Sequence, residues 1–225
     1  MCCRYYIEHD DPEIINLLSS VNRAALSAPI QDSSPSMLLS IVNRSPLAAM
    51  FREAGDAIVT QGEIFPSMVV PALASRRDGQ PALFPMKWGF TGPGKQLLLN
   101  ARAETAAGRP VFRESWHAHR CILPASWYFE WKHIPASDGK KRIIEKYAIR
   151  PEKQGATWLC GLYRAEMNLP HFVVLTREPT EDLRDIHDRM PLILPGEDLL
   201  NWINPSVSPR ELLSRAVTGL TAEKQ

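Results

Sequence analysis

Four residues of this chain have the chemistry of a reaction centre: Cys2, Asn100, Glu130 and His187. Initiator methionine is normally removed before a small residue, so Cys2 is the expected mature N-terminus. A free N-terminal cysteine offers two nucleophiles on adjacent carbons, an α-amine of pKa about 8 and a thiol of pKa about 8.5. An aldehyde meeting that pair forms a Schiff base, which the thiol closes to a five-membered thiazolidine. Cys3 has no such chemistry, because its nitrogen is an amide. The competing reading is an incidental cysteine in a frayed terminus. If 127–132 is extended, Trp127, Phe129 and Trp131 share one face and Tyr128, Glu130 and Lys132 the other. A carboxylate flanked by rings and partly desolvated has a raised pKa and can shuttle protons; the alternative is a surface carboxylate beside Lys132. His187, in Asp185-Ile186-His187-Asp188-Arg189-Met190-Pro191, suits acid–base work near neutral pH, or holds a loop. Asn100 offers a neutral donor and acceptor for an aldehyde or hydroxyl oxygen, or ends a strand.

Asn100 and Glu130 lie in one unusual stretch, Trp88 to Trp131, which interleaves tryptophans with Asn100, Arg102, Glu104, Arg120 and Glu130. Rings beside guanidinium groups suit a flat, anionic, stackable ligand, of which single-stranded nucleic acid is the commonest. A core with solvated polar edges fits the same pattern. Arg102 and Arg113 either grip phosphates or pair with Glu104 and Glu114. The net charge of +1 argues against a dedicated duplex-DNA binder, so any nucleic-acid site is local.

The length suits one domain or two small ones, and abundant proline points to many short elements. A strand is expected over Cys2 to Ile7, then a helix capped by Asp11 with Ile14, Leu18, Val21 and Ala25 as its buried stripe. A polar connection follows over Ser27 to Ser36. Met37 to Ala54 reads as two helical pieces broken at Ser45-Pro46 and stopped by Gly55. Strands are expected at Met68 to Ala74, Leu83 to Phe90 and Leu97 to Asn100, with a turn at Arg76-Arg77-Asp78-Gly79. A short helix over Pro110 to His117 precedes strands at Cys121 to Leu123 and Trp127 to Lys132. Ser137-Asp138-Gly139 turns the chain into Lys141 to Arg150, followed by strands at Trp158 to Arg164 and Phe172 to Thr176. Thr180 caps a short helix through Ile186, and Met190 to Leu194 is a strand. Helices fill 195–218, the second opened by a Ser208/Glu211 capping box. The fold class is α+β: mostly antiparallel strands in a curved or barrel-like sheet with flanking helices, forming a single domain over 1–225. Its working face is expected from 1–7, 88–131 and 176–191. The chain has neither a membrane-length apolar run nor a signal-peptide core, which predicts a cytoplasmic protein without membrane contact. Cys2, Cys3, Cys121 and Cys160 are expected to be free thiols. With His117 and His119 they do not match paired zinc spacing, so no metal site is expected. His117, His119 and His133 read as surface residues.

The chain resembles the SOS response-associated peptidase (SRAP) family. The matching motifs are Met-Cys-x-Arg at the start, Trp88-Gly89, Asn-Ala-Arg-Ala-Glu-Thr at 100–105, Phe112-Arg113, Arg120-Cys121, Phe129-Glu130-Trp131 and Ile186-His187-Asp188-Arg189-Met190-Pro191. The resemblance implies an SRAP-like fold and covalent capture of abasic sites in single-stranded DNA. Cys2 would be the nucleophile, assisted by Asn100, Glu130 and His187, and no cofactor is implied. Arg4, Trp88, Arg102, Arg113 and Thr176 would contact DNA. A proteolytic activity on the chain's own leading methionine and an abasic-site lyase activity accompany that implication, as does a monomeric state. Two other readings are a peptidase or amidohydrolase using an N-terminal cysteine, and a non-enzymatic single-strand-binding module. The chain departs from the family where Cys3 and Trp127 replace glycines. It also lacks the family's asparagine-containing loop near Gly62 to Pro66, and no second tryptophan follows Phe90.

Overall fold

A computed structural model describes residues 3–21, 37–135, 142–153 and 155–225. Cys2, Ala25, the Ser27 to Ser36 connection and the Ser137-Asp138-Gly139 turn lie outside the described residues. The chain opens with β1 (Tyr5–Ile7) and α1 (Pro12–Val21). Asp11 caps that helix: its Oδ1 accepts from the amides of Glu13 at 3.0 Å and Ile14 at 3.3 Å. Helices α2 (Met37–Asn43) and α3 (Pro46–Glu53) break where expected, with the Ser45 side chain accepting from Leu47 N. Gly55 ends the pair with φ +84°.

Strands β2 (Gly62–Ile64), β3 (Val69–Ser75) and β4 (Pro81–Trp88) follow. Gly89 then turns the chain at φ +119°, where a Cβ would lie 2.5 Å from Leu97 Cδ1. The expected strand over Leu97 to Asn100 is divided. β5 (Phe90–Thr91) pairs with β6 (Leu97–Leu98), while β7 (Asn100–Arg102) joins another sheet. The break falls at Leu99, whose carbonyl accepts from both Trp88 Nε1 and Val174 N. After α4 (Pro110–Ala118) come β8 (Arg120–Ala125), β9 (Trp127–Pro135), β10 (Arg142–Pro151), β11 (Thr157–Glu166), β12 (Leu169–Arg177) and β13 (Met190–Pro191). The chain closes with α5 (Leu199–Ile203), α6 (Pro209–Leu213) and β14 (Leu220–Lys224).

The architecture is α+β, as expected. One sheet is an open, five-stranded surface in the order β14-β10-β9-β1-β2. The other runs β11-β8-β3-β4-β12 and closes on itself through a β11–β12 pairing, giving the barrel-like element; β7 and β13 extend it beside β12. All neighbours are antiparallel except β12 with β4 and with β7. Tyr5, Ile7, Ile64, Tyr128 and Ile149 line the covered face of the open sheet and join one continuous core with the barrel.

Several local expectations fail for identifiable reasons. The strand at Met190 to Leu194 stops at Pro191, because the chain passes from one barrel strand to another. Leu192 N donates to Leu175 O on β12, while Leu192 O accepts from Cys160 N on β11. Thr180 makes no side-chain cap, and only a single 3₁₀ turn over Glu181–Leu183 follows it. The Ser208 side chain likewise caps nothing; Glu211 N bonds its carbonyl instead. The expected helices over 195–218 shrink to a 3₁₀ turn at Gly196–Asp198 and the two short helices α5 and α6, and the chain beyond them returns as β14 beside β10. Arg120 anchors this end. It is buried, donating to the carbonyls of Trp202 (2.6 Å), Trp116 (3.0 Å), His117 (2.8 Å), Val207 (2.9 Å) and Asn204. Burial lowers its pKa to about 10, and its charge is shared among helix-end carbonyls rather than a carboxylate.

Candidate active site

The strand alternation expected for 127–132 holds, and it turns Glu130 inward. Glu130 is 2% exposed, facing Tyr147 of β10 in register. Phe129 N donates to Arg4 O at 3.0 Å, which brings the approach to β1 alongside it. Burial raises the Glu130 pKa to about 7, and the nearby Asp188 charge adds to the effect. The surface alternative beside Lys132 is therefore excluded. Cys3 lies within reach of that carboxylate: burial first, then the Glu130 charge, raises its thiol above the ordinary range.

His187 arrives from the far side, at the end of the Glu181–Leu183 turn, where its amide donates to Leu183 O at 3.1 Å. Its Nε2 is 3.9 Å from Glu130 Oε2 and its Nδ1 is 2.8 Å from Asp188 Oδ1. Burial holds its pKa below the usual histidine value, against the pull of Asp188. Glu130 and His187 thus lie side by side with pKa shifts in opposite directions, in each case chiefly because burial disfavours the charged form. The field of His133 also reaches His187, a relation hidden in the sequence because β9 brings it there from 54 positions away.

Asn100 begins β7, half-buried and opposite Val174 of β12. The β12 end therefore carries Asn100 on one flank and, through β13, the His187 loop on the other. Arg102 and Arg113 are exposed, and neither makes an ion pair among the described residues. The alternative pairings do not form: Glu104 binds Arg189, and Glu114 lies 3.8 Å from His119 Nε2. Arg4 contacts Glu63 at 3.3 Å and lies over the rings of Phe65 (4.6 Å) and Trp131 (5.1 Å).

Two expected DNA contacts need correction. Trp88 is fully buried, packed against Tyr5 and Phe172 with its indole N–H bonded to Leu99 O, so it offers no stacking surface. Thr176 is equally buried, its hydroxyl directed at Ala101 O. Both position the Asn100 segment from beneath. Conversely, Lys146 went unnoticed: it faces Trp131 in register, contacts Glu63 at 3.1 Å and sits 3.7 Å from the Phe129 ring centre. The Ser137-Asp138-Gly139 signal does not fix this, because a one-residue slip in register would turn Lys146 to the other face; the pairing with Trp131 emerges only with the sheet. No cluster of three or more metal-ligating side chains occurs among the described residues.

The family model described as SOS response associated peptidase (SRAP) matches residues 1–224. The chain belongs to the SRAP family. A relative named abasic site processing protein YobE, from Bacillus subtilis, is 35% identical over 166 residues, covering 67% of this chain and 74% of its own. Abasic site processing protein YedK from Escherichia coli is 32% identical over 165 residues, covering 68% and 69%. A solved phage-related protein from Bordetella bronchiseptica shares the fold with a TM-score of 0.68 at 20% identity, covering 100% of this chain and 94% of its own. A protein from Bacteroides thetaiotaomicron superposes equally well, at 0.68 and 20%, over 99% and 91%.

Proposed function

We propose that this SRAP protein captures abasic sites in single-stranded DNA, forming a covalent crosslink through Cys2. The observation that carries the reading is Glu130, a buried carboxylate titrating near 7 beside His187 and next to the approach to β1. Two relatives bearing the name abasic site processing protein support the substrate.

The chemistry follows from the aldehyde at C1 of a ring-opened abasic sugar. After Met1 is removed, the Cys2 amine adds to C1 and forms a carbinolamine. Loss of water, with a proton delivered to the departing hydroxyl, gives the imine. The Cys2 sulfur then adds to the imine carbon, its proton passes to nitrogen, and a thiazolidine remains. Glu130 and His187 move these protons, while the Asn100 amide orients the sugar oxygens. Placing amine and thiol on one residue gives the closure an effective molarity of up to roughly 10⁵–10⁸ M, and the sequence of steps consumes no cofactor. Arg102, Arg4 and Arg113 hold phosphates on either side of the lesion. The protein acts in the cytoplasm, on the nucleoid when DNA is bound.

Intact-mass measurement after incubation with an abasic single-stranded oligonucleotide tests this. The expected product weighs the Met1-free chain plus the oligonucleotide minus one water, and Cys2→Ala gives none. An unmodified wild-type mass from chain lacking Met1 refutes it. Turnover of an amide substrate beyond Met1 would instead indicate a peptidase.

A further inference from the structure

Glu104 and Arg189 belong to separate motif stretches, 85 positions apart, yet the fold joins them. Arg189 Nη2 donates to both Glu104 carboxylate oxygens, at 3.0 and 2.8 Å, and to Thr176 O at 2.8 Å. The same residue's backbone N–H donates to His187 Nδ1 at 3.0 Å. We propose that the Glu104–Arg189 ion pair is a positioning device that fixes which nitrogen of His187 carries the proton. The inference rests on the capture reading for its catalytic meaning.

The argument turns on a conflict at Nδ1. This nitrogen faces the Arg189 N–H at 3.0 Å and the Asp188 carboxylate at 2.8 Å. A neutral ring satisfies only one of them. Accepting from Arg189 requires a lone pair at Nδ1 and places the proton on Nε2, toward Glu130 Oε2 at 3.9 Å. Donating to Asp188 reverses the tautomer and turns a lone pair toward Glu130. Asp188 is 84% exposed, so water competes for its carboxylate, whereas the Arg189 side chain is only 11% exposed. The firmly held partner therefore decides the tautomer. Among the described residues, the charged or titratable groups facing His187 are Glu130 and His133 from β9 and Asp188 from its own loop, and the positive charge of the chain's N-terminal amine also lowers its pKa.

Glu104 is the anchor of this arrangement. Its own burial opposes the charged form, but the Arg189 hydrogen bond and backbone amides outweigh that and hold its pKa below the ordinary range. Glu104 also accepts from Glu178 N at 3.3 Å, just past the end of β12. Glu104 therefore ties together the Asn100 segment, the β12 end and the His187 loop. All three Arg189 side-chain bonds come from Nη2, so a lysine ammonium in that place could replace the contact.

The test reads the tautomer directly, by nitrogen-15 NMR of histidine-labelled protein at pH 8. Wild type is expected to show His187 with Nε2 protonated and Nδ1 bare. Glu104→Ala and Arg189→Met are expected to shift the ring toward the Nδ1-protonated form, and Arg189→Lys to restore wild-type shifts. Abasic-oligonucleotide crosslinking should slow roughly tenfold in the first two variants, the lower end of what a charge-assisted hydrogen bond contributes, and recover in the third. If a variant loses its fold by circular dichroism, Glu104→Gln, which removes the charge and leaves a single neutral acceptor for Arg189, serves in its place, with a smaller shift expected in the same direction. An Nδ1-protonated wild-type ring overturns the proposal, as does an unchanged tautomer in folded Glu104 and Arg189 variants, even if crosslinking slows. Absence of crosslinking in wild type would remove the capture reading, while the tautomer measurement would still decide the positioning role.

Discussion

Replacing Glu130 by glutamine separates the cost of this carboxylate from its use. Its pKa rises from 4.5 to about 7 on folding, because burial disfavours the charged form. Each unit corresponds to about 1.36 kcal/mol, so ionised Glu130 costs the folded state about 3 kcal/mol. The sign follows from the direction. Below pH 4.5 the group is protonated in both states and the penalty is absent. Between 4.5 and 7 the unfolded chain releases its proton while the folded chain retains it, so stability falls. Above 7 the loss is complete. Glu130→Gln cannot ionise, so its stability relative to wild type should rise by about 3 kcal/mol from pH 4.5 to pH 8, with the change confined to that window. Urea denaturation at pH 4.5, 5.5, 6.5, 7 and 8 measures it. Crosslinking rates over the same range should carry an inflection near pH 7 in wild type that the variant lacks, together with a slower plateau. A pH-independent stability difference would show that Glu130 ionises like an exposed carboxylate, and the proton-transfer role would fail with it.

Arg102→Ala should weaken binding of intact single-stranded DNA and flatten its salt dependence by about 0.7 in log–log slope, the signature of one lost phosphate contact; an unchanged slope makes Arg102 structural. Trp88→Phe should lower stability by about 1–3 kcal/mol in urea denaturation while leaving DNA affinity per folded molecule unchanged, since the indole bonds Leu99 O inside the core. A large affinity loss in folded Trp88→Phe would reinstate direct contact. Arg120→Met should cost about 3–5 kcal/mol, because the carbonyls of Trp202, Trp116, His117, Asn204 and Val207 lose their donor together. A loss under about 1 kcal/mol would mean that water or a local rearrangement takes the guanidinium's place.

What the sequence made legible was local. Period-two alternation turned Glu130 away from Trp127, Phe129 and Trp131, Asp11 announced its helix through capping chemistry, and Ser45-Pro46 marked the break between α2 and α3. A barrel-like sheet was expected, but which strands close it was not legible, because closure depends on β11 pairing simultaneously with β8 and β12. That closure also explains why Met190 to Leu194 looked like a strand but splits between two neighbours. Trp88 misled for a related reason: an aromatic beside arginines reads alike whether it stacks on a ligand or fills a core, and only burial separates the cases. Proximity in sequence offers Arg102 as one possible partner of Glu104, whereas the partner the fold supplies is Arg189, beside β13. Electrostatic partners at long separation carry no periodic signal, so pairs such as Glu104–Arg189 and Arg4–Glu63 emerge only with the fold.

Cys3 and Trp127, at positions where the resemblance predicts glycine, have opposite consequences for the site. Trp127 lies on the outer face of the open sheet, its ring stacked on Tyr6 at 4.6 Å with an interplanar angle of 2°. Glu130, three residues on, points to the other face, so the extra volume at 127 leaves the reacting groups undisturbed. Cys3 is different. It is half-buried and close enough to Glu130 for the carboxylate's charge to add to burial in raising its pKa, so its thiol stays neutral at pH 7. A neutral thiol beside the carboxylate excludes water without compensating its charge, which sustains the desolvation that raises Glu130. Cys3→Gly should admit water and bring the Glu130 pKa back toward 4.5. The crosslinking inflection near pH 7 would then shift to more acid values, by at least half a unit, while Trp127→Gly leaves it in place. An inflection that moves with Trp127 and ignores Cys3 would mean that desolvation of Glu130 is governed from the outer face of the sheet, against the alternation that turns its side chain inward.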